Sequence, residues 1–574
     1  MKKHIIPAIV LILLLPVFAS AGTLLVPGQF PTIQAGIDAA VNGDEVIISP
    51  GTYIGPGNRD IDFKGKAITV KSESGPKDTI IDCNGTFSET HRGFWFHCGE
   101  RATSVIEGLT IKNGYVVDSD GGGIFCYGAS PTVRDCIIMN NTAYSARAGL
   151  TAFGGGMCNR NRSYPIVTNC IFSNNRSDCG GAISNVIDVS LRISNSIFTG
   201  NSVQLGGGIF NTTNCSVTVT NSLFSGNQGG GGAAIYNSSS RICLINCTLV
   251  ANSGYHAITI YSSSHVGKLI VSNSILWDGP PYLTKDSLAN ITFSDVRGGW
   301  VGAGNTSEDP HFVDISDGDY RLLENSPCIN AGDPNYVMEP NETDLDGKSR
   351  VIDDRIDMGA YEFNHTPIAC VLGDDQPIEA QGPFGAKVTL DGSCSSDADS
   401  TPGTNDDIND FKWYEIDPCD PTNEIYLGSG QVYDCNLSLG QHTIILEVTD
   451  KAGATDSNEI TVTVQDTTPP ELNLSVVPTI LWPANHRMIK ITSTCTATDL
   501  CDESPQVSLV DITMNEPGVA DDIRIDADGS IYLCATRSGT AKSRIYTITY
   551  RACDDSGNCA TRTANVTVPH DMRK

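Results

Sequence analysis

Between residues 121 and 279 the apolar positions come in short runs of four to six residues, separated by Gly, Asn and Ser. Val167-Thr-Asn-Cys-Ile-Phe172 and Leu191-Arg-Ile-Ser-Asn-Ser-Ile-Phe198 are examples, rich in Ile, Val, Phe and Thr. Runs of this kind suit strands and are too short for helices, and no ten-residue stretch here keeps an i, i+3, i+4 spacing. The runs also repeat. Gly121-Gly-Gly-Ile124, Gly154-Gly-Gly-Met157, Gly180-Gly-Ala-Ile183, Gly206-Gly-Gly-Ile209 and Gly232-Ala-Ala-Ile235 open successive units. Ile138-Met-Asn-Asn141, Phe172-Ser-Asn-Asn175, Phe198-Thr-Gly-Asn201, Phe224-Ser-Gly-Asn227 and Leu249-Val-Ala-Asn252 follow some 14 residues later. From Gly123 to Gly156, Ala182, Gly208 and Ala234 the steps are 33, 26, 26 and 26. A period in this range means stacked supersecondary units.

About 26 residues hold three short strands and three turns, one rung of a parallel β-helix, with rungs ~4.8 Å apart. Stacking predicts an inner aliphatic row of Ile124, Met157, Ile183, Ile209 and Ile235, and a second row of Phe172, Phe198 and Phe224. It also predicts a polar row of Asn141, Asn175, Asn201 and Asn227 at a corner, where Asn tolerates left-handed φ. Upstream, Ile33, Ile37, Ala40 and Val41 fall on one face of a short helix. Such a helix covers the open end of a stacked core. After Asn42-Gly-Asp44, the segment Glu45–Tyr53 reads as the first strand.

These phrases carry a resemblance. The Thr32–Tyr53 opening is similar to the start of bacterial pectin-lyase-like right-handed β-helix proteins. The alternating glycine and FxxN phrases resemble the repeats of chlamydial polymorphic outer-membrane proteins. The ending, from Asp319-Tyr-Arg-Leu-Leu323 through Pro327-Cys-Ile-Asn-Ala-Gly332 to Asp357-Met-Gly-Ala-Tyr-Glu362, resembles the closing segment of large secreted β-helix proteins. The resemblance covers residues 22–363 and implies the fold and a secreted or surface location in a bacterium. For activity it is not specific, since lyases, hydrolases, epimerases, adhesins and passive stalks share the fold.

After Phe363 the period stops. Lys387–Leu390, Phe411–Tyr414, His442–Thr449 and Glu459–Val464 suit the antiparallel strands of a β-sandwich. Residues 366–466 resemble a PKD-type immunoglobulin-like module, with Lys412-Trp-Tyr-Glu-Ile-Asp417 replacing the usual WDFGDG signature. Residues 467–569 resemble a second such module of the HYR kind, with a late hairpin over Tyr546–Asn558. Its Leu481-Trp-Pro-Ala-Asn-His486 phrase offers Trp482 either to a sugar face or to the core of the sandwich. The expected class is all-β: a right-handed parallel β-helix followed by two immunoglobulin-like sandwiches.

Composition narrows the partners. Among 574 residues, 37 Lys plus Arg face 66 Asp plus Glu, a formal charge of −29. That excludes nucleic-acid binding through a basic surface and favours Ca²⁺. Residues 1–21 read as a signal peptide, with Lys2 and Lys3, an apolar run from Ile5 to Phe18 and Ala19-Ser-Ala21. No other stretch is long and apolar enough to span a membrane. Twenty cysteines in an exported chain argue for disulfides. Cys136, Cys170 and Cys247 share one repeat slot with Ser196, Ser222 and Ser274, which predicts a stack of small buried residues, some bridged. In the last module, two bridges tying Cys495 and Cys501 to Cys553 and Cys559 are expected, with Cys534 left over.

Chemistry is sparse. A lyase on this fold needs several carboxylates on one outer face plus an Arg or Lys base, and a hydrolase needs paired carboxylates. The outward slot instead holds Asn169, Asn195, Asn221, Asn246 and Asn273, with Asp135 the one acid. Asp118, Asp120, Arg134, Asp178 and Asp188 fall at unmatched positions. Arg147, Arg160 and Arg162 lie near the Ala143–Phe153 insertion behind the 33-residue step, and that region is the candidate cleft. Asp309-Pro-His311 looks like an alginate-epimerase phrase, but Phe312 stands where the acid belongs. Glu342, Asp344, Asp346 and Asp353 have the spacing of a calcium loop around Gly347. Asp397, Asp399, Asp406 and Asp407, beside Asp410, form a second acidic loop. The expected function is adhesion, or binding and display of polysaccharide or another cell-surface component, with the sandwiches as calcium-stiffened spacers. The alternative is a polysaccharide lyase or glycoside hydrolase with its site at residues 143–162.

Overall fold

The computed structural model describes residues 21–571, apart from 264, 341, 353, 354, 374, 375, 401–403, 518, 540 and 541. The expected signal peptide therefore lies almost wholly outside the described residues. The chain forms two compact units, one up to Asn364 and one from His365. The first is a parallel β-solenoid. A long sheet carries two strand positions per rung, and they fuse into single strands at Ser216–Ser225 and Arg241–Val250. A second sheet stacks nine strands, from Ile61–Asp62 to Tyr282–Leu283, and a third, shorter sheet runs through Ser202–Leu205, Gln228–Gly231 and Ser253–Gly254.

The expected rows form. Ile124, Met157, Ile183, Ile209 and Ile235 are in register and fully buried. Phe172, Phe198 and Phe224 stack with centroids 5.2 and 4.5 Å apart. The helix spans Ile33–Ala39, capped by the Thr32 hydroxyl, and buries Ile33 and Ile37, but Val41 lies beyond it and is exposed. Thr23–Val26 precedes it as the true first strand, pairing with Glu45–Ile48, and Gly51–Tyr53 is a separate strand.

The polar row departs from its expected role. Asn141, Asn175, Asn201 and Asn227 are fully buried, and each amide Nδ2 donates to the Oδ1 of the next, at 2.9–3.1 Å. Asn252 extends the row, and Asp278 ends it by accepting from the backbone and side chain of Asn252. The left-handed φ falls one position earlier, at Asn140, Asn174, Gly200 and Gly226. A second carboxamide row joins Asn159, Asn185, Asn211 and Asn237 inside the second sheet. Ser196, Ser222, Ser274 and Ser294 form a third row by accepting from the backbone amide of the preceding rung. Cys136, Cys170 and Cys247 replace serine there because a thiol also donates to the carbonyl two residues back. No solenoid cysteine is bridged among the described residues, and burial pushes the Cys247 thiol up to about 12.

The described residues of the segment 333–362 fold back along the solenoid. Asn195 donates to the Thr343 and Asp344 carbonyls, Asn221 to the Glu342 carboxylate, and Asn246 to the Tyr336 hydroxyl. Thus the asparagine slot read as outward is covered over much of its length, with Asn221, Asn246 and Asn273 buried. Arg350 and Glu362, both buried, form an ion pair at 3.0 Å within this segment.

The second unit holds two hydrophobic cores, one around Trp413 and one around Tyr546, consistent with two immunoglobulin-like domains. The first packs a five-stranded sheet and the Ala386–Asp391/Val432–Leu437 pair; the second packs four-stranded and three-stranded sheets. Cys370 bonds Cys394, and Cys553 bonds Cys559. Antiparallel pairing sets Cys553 directly opposite Cys559, so they join each other, leaving Cys495 and Cys501 as thiols rather than bridging to them.

Two outcomes follow for stability. Asn201→Ala strands the Asn175 backbone amide and the Phe172 carbonyl inside the core, so it should cost at least about 2 kcal/mol, at about 1–3 kcal/mol per stranded group. Asn169→Ala, at a left-handed turn outside the buried row, should cost about 1–2 kcal/mol. Urea midpoints of the solenoid transition compare the two. Buried Asp295 is pushed up to about 7, chiefly by burial and against the Cys328 thiol bond. A raised acid stabilises the fold when protonated, and that contribution is lost as pH rises from about 4 toward 7. Asp295→Asn should therefore melt with wild type near pH 4 and above it at pH 8.

Candidate functional site

With the asparagine slot of the long sheet covered by residues 333–362, the second sheet presents its outer face. Its register aligns Trp95, Phe125, Cys158, Ser184, Phe210, Tyr236, Thr259 and Tyr282, one residue per rung. The row spans about 34 Å at ~4.8 Å per step. Trp95 stacks on His97 at 4.1 Å, Phe210 on Tyr236 at 5.5 Å, and Tyr282 on His256 at 4.5 Å. Cys158 and Ser184 are small, and Phe153, from the end of the insertion, fills in beside them, its ring 5.8 Å from that of Phe210. Tyr127 and Tyr261 stand in the adjacent outward row. Trp95 is 43% exposed and Tyr282 47%. Between these ends the row is covered: Cys158 and Ser184 are fully buried, and Phe210 and Thr259 are 6% exposed. The exposed rings are therefore Trp95 and Tyr282, with Tyr127 and Tyr261 in the neighbouring row, and exposed aromatic side chains on a folded surface mark an interaction site.

Two arginines flank the strip. Arg92 lies over Trp95 and Phe125 at 5.7 and 5.2 Å and donates to the Asp120 carbonyl and the Ser119 hydroxyl. Arg160 lies over Phe153 at 5.5 Å and is paired with the Asp120 carboxylate. Arg147 pairs instead with Asp118 at 3.2 Å and Arg162 with Asp188 at 3.9 Å, both largely exposed. The three arginines picked from sequence thus pair with three different aspartates and do not converge on one cleft. The groove beside the insertion runs along the third sheet, lined by Tyr144, Arg176, Asp178, Gln204, Gln228 and Ser253. Arg176 was not singled out from sequence, although it follows the ladder residue Asn175 directly.

At the head of the strip, His97 sits 3.4 Å from Asp62 and 3.7 Å from the Cys98 thiol. Local burial, with Asp62 and Glu100 nearby, holds that thiol above its ordinary value, the reverse of what an activated nucleophile needs. His311 faces the Asn325 carbonyl, and the Asp309 carboxylate caps the His311 backbone amide. Trp482 is 49% exposed rather than buried; the core tryptophan of the second unit is Trp413.

The acidic loops separate. Glu342 accepts from Asn221, Tyr336 and the Glu339 amide, while Asp344 accepts from the amides of Asp346, Lys348 and Glu362. Both carboxylates are engaged by protein donors, and Asp353 lies outside the described residues. In the second loop, Asp399 binds His365 and Asp406 accepts from Thr404. Asp397 and Asp407 instead meet Asp450, with one oxygen of each within 4.8 Å of the others. Burial raises both Asp397 and Asp407 above the usual carboxylate range. Asp450 was missed from sequence; it reaches the site because Ile408 pairs with Asp450 across the sheet.

No curated protein matches the chain. Among solved structures, it is similar to protocadherin gamma B2 extracellular cadherin domains 3–6, at 15% identity, covering 36% of this chain and 52% of that one, with a TM-score of 0.17. The chain thus spans about half of that fragment. It is also similar to the fibronectin(III)-like modules of Clostridium thermocellum CbhA (13%, covering 36% and 98%, TM-score 0.16) and to rice weevil pectin methyl esterase (14%, covering 46% and 81%, TM-score 0.23). Scores this low establish neither fold nor function. The family described as a right handed beta helix region matches residues 61–249, and with the stacked parallel rungs this makes the first unit a right-handed β-helix.

Proposed function

We propose that this is an exported, surface-associated bacterial protein whose β-helix binds an extended glycan along the aromatic row of the second sheet. The immunoglobulin-like modules, PKD-like and HYR-like, serve as spacers. The observation that carries the reading is the set of exposed rings on this face, Trp95 and Tyr127 toward one end and Tyr261 and Tyr282 toward the other, since aromatic faces suit the apolar faces of sugar rings. Charge favours a neutral glycan: the chain carries −29, the Asp120 carboxylate pairs with Arg160, and Arg92 is held by the Asp120 carbonyl and the Ser119 hydroxyl. Binding is favoured over cleavage because, among the described residues, no pair of unengaged carboxylates stands along the row.

The full mature chain, incubated with plant, algal and bacterial polysaccharides, should retain at least one without new reducing ends or unsaturated products. Trp95→Ala and Tyr282→Ala should each weaken retention about fivefold, taking about 1 kcal/mol per stacked ring. Retention untouched by the double variant would sink the aromatic-row reading. Cleavage abolished by Arg160→Ala would make the chain an enzyme.

A further inference from the structure

We propose that Asp397, Asp407 and Asp450 form a calcium site in the first immunoglobulin-like module, tying the loop before Ile408 to the end of the Gly440–Asp450 strand. All three are buried, at 8, 7 and 1% exposure. Water therefore does little to offset three carboxylates packed together, and like charges this close oppose one another. The nearby cation is Lys451, whose ammonium is 3.8 Å from Asp407 Oδ1, while His365 is engaged by Asp399. One lysine does not balance three carboxylates.

The hydrogen bonding points the same way. Asp397 Oδ1 accepts from the Asp399 amide, yet Asp397 Oδ2 has no partner, and neither has Asp407 Oδ2. An unpaired buried carboxylate oxygen is costly, and two on acids of one buried cluster call for a shared cation. The geometry suits calcium. Oxygens about 2.4 Å from one ion lie at most about 4.8 Å apart, and backbone carbonyls and water complete a coordination of about six to eight. The 4.8 Å limit on the three carboxylates fits that shell. All three ligands are hard oxygens and no thiol or imidazole joins them, which favours calcium over zinc or copper.

The test uses the full mature chain, stripped with chelator and titrated with calcium chloride by calorimetry. Wild type should bind calcium, and Asp397→Asn and Asp450→Asn should each bind one ion fewer per chain. Asp406→Asn, outside the cluster, should bind as wild type. Melting in chelator separates a metal site from a structural charge. Asn in place of Asp relieves the repulsion, so both variants should melt at or above wild type when calcium is absent, and should lose the upward shift that calcium gives wild type. Absence of binding by wild type, unchanged stoichiometry in either variant, or a variant melting below wild type in chelator would each overturn the proposal.

Discussion

The solenoid depends on one interaction, the carboxamide bond between successive rungs. Asparagine carries a donor and an acceptor on one planar group, so an identical residue one rung away always completes it. Asn141, Asn175, Asn201 and Asn227 exploit this inside the core, where the Oδ1 of each of the last three also accepts the backbone amide of the preceding ladder residue and that of Asn141 accepts the Gly114 amide. Because a buried polar group left unpaired costs more than the bond gains, the ladder enforces register as much as it adds stability. A rung that slipped by one residue would strand every amide. The stacked Ile and Phe rows supply the burial, but hydrophobic contact is not directional and would tolerate such a slip.

This explains what was legible from the chain. Repeat length, strand content and the aliphatic and phenylalanine rows all follow from spacing, and the structure has them where spacing puts them. The asparagine ladder follows from spacing too, but the left-handed φ expected on it falls one residue earlier, because Asn serves equally in a left-handed turn and in a buried ladder. The two uses sit side by side in Asn140-Asn141 and Asn174-Asn175, one residue turning the chain and the next joining the rungs. Spacing alone does not say which is which. In Phe198-Thr-Gly-Asn201 glycine takes the turn, and that phrase resolves the pair.

The candidate sites were harder to read for a different reason. The aromatic row uses outward positions that vary in type from rung to rung, passing through Cys158 and Ser184, so it has no repeating letter. It becomes visible only when parallel register aligns Trp95 with Phe125 and Phe210 with Tyr236. Asp450 was missed likewise. It lies some forty residues from Asp407, and antiparallel pairing through Ile408 brings them together. Local clusters such as Glu342, Asp344 and Asp346 were conspicuous in sequence, but nearby amides and hydroxyls use the first two.

A β-helix exposes several long faces, and a ligand surface is defined by which of them the protein does not cover for itself. Here residues 333–362 occupy the asparagine slot of the long sheet, satisfying Asn195, Asn221, Asn246 and Asn273 with their own carbonyls, carboxylates and amides. Those asparagines would otherwise be a regular polar array along the solenoid. The second sheet is covered only over its middle, where Phe153 packs on Phe210, and the side chains it leaves open toward its ends include the rings of Trp95, Tyr127, Tyr261 and Tyr282. Rings can remain exposed without unmet hydrogen bonds, whereas a strip of this length keeps a large apolar area in contact with water. The covered polar face and the open aromatic face are therefore complementary: the chain satisfies by itself the surface whose needs are directional, and leaves open the one whose gain on burial comes from area.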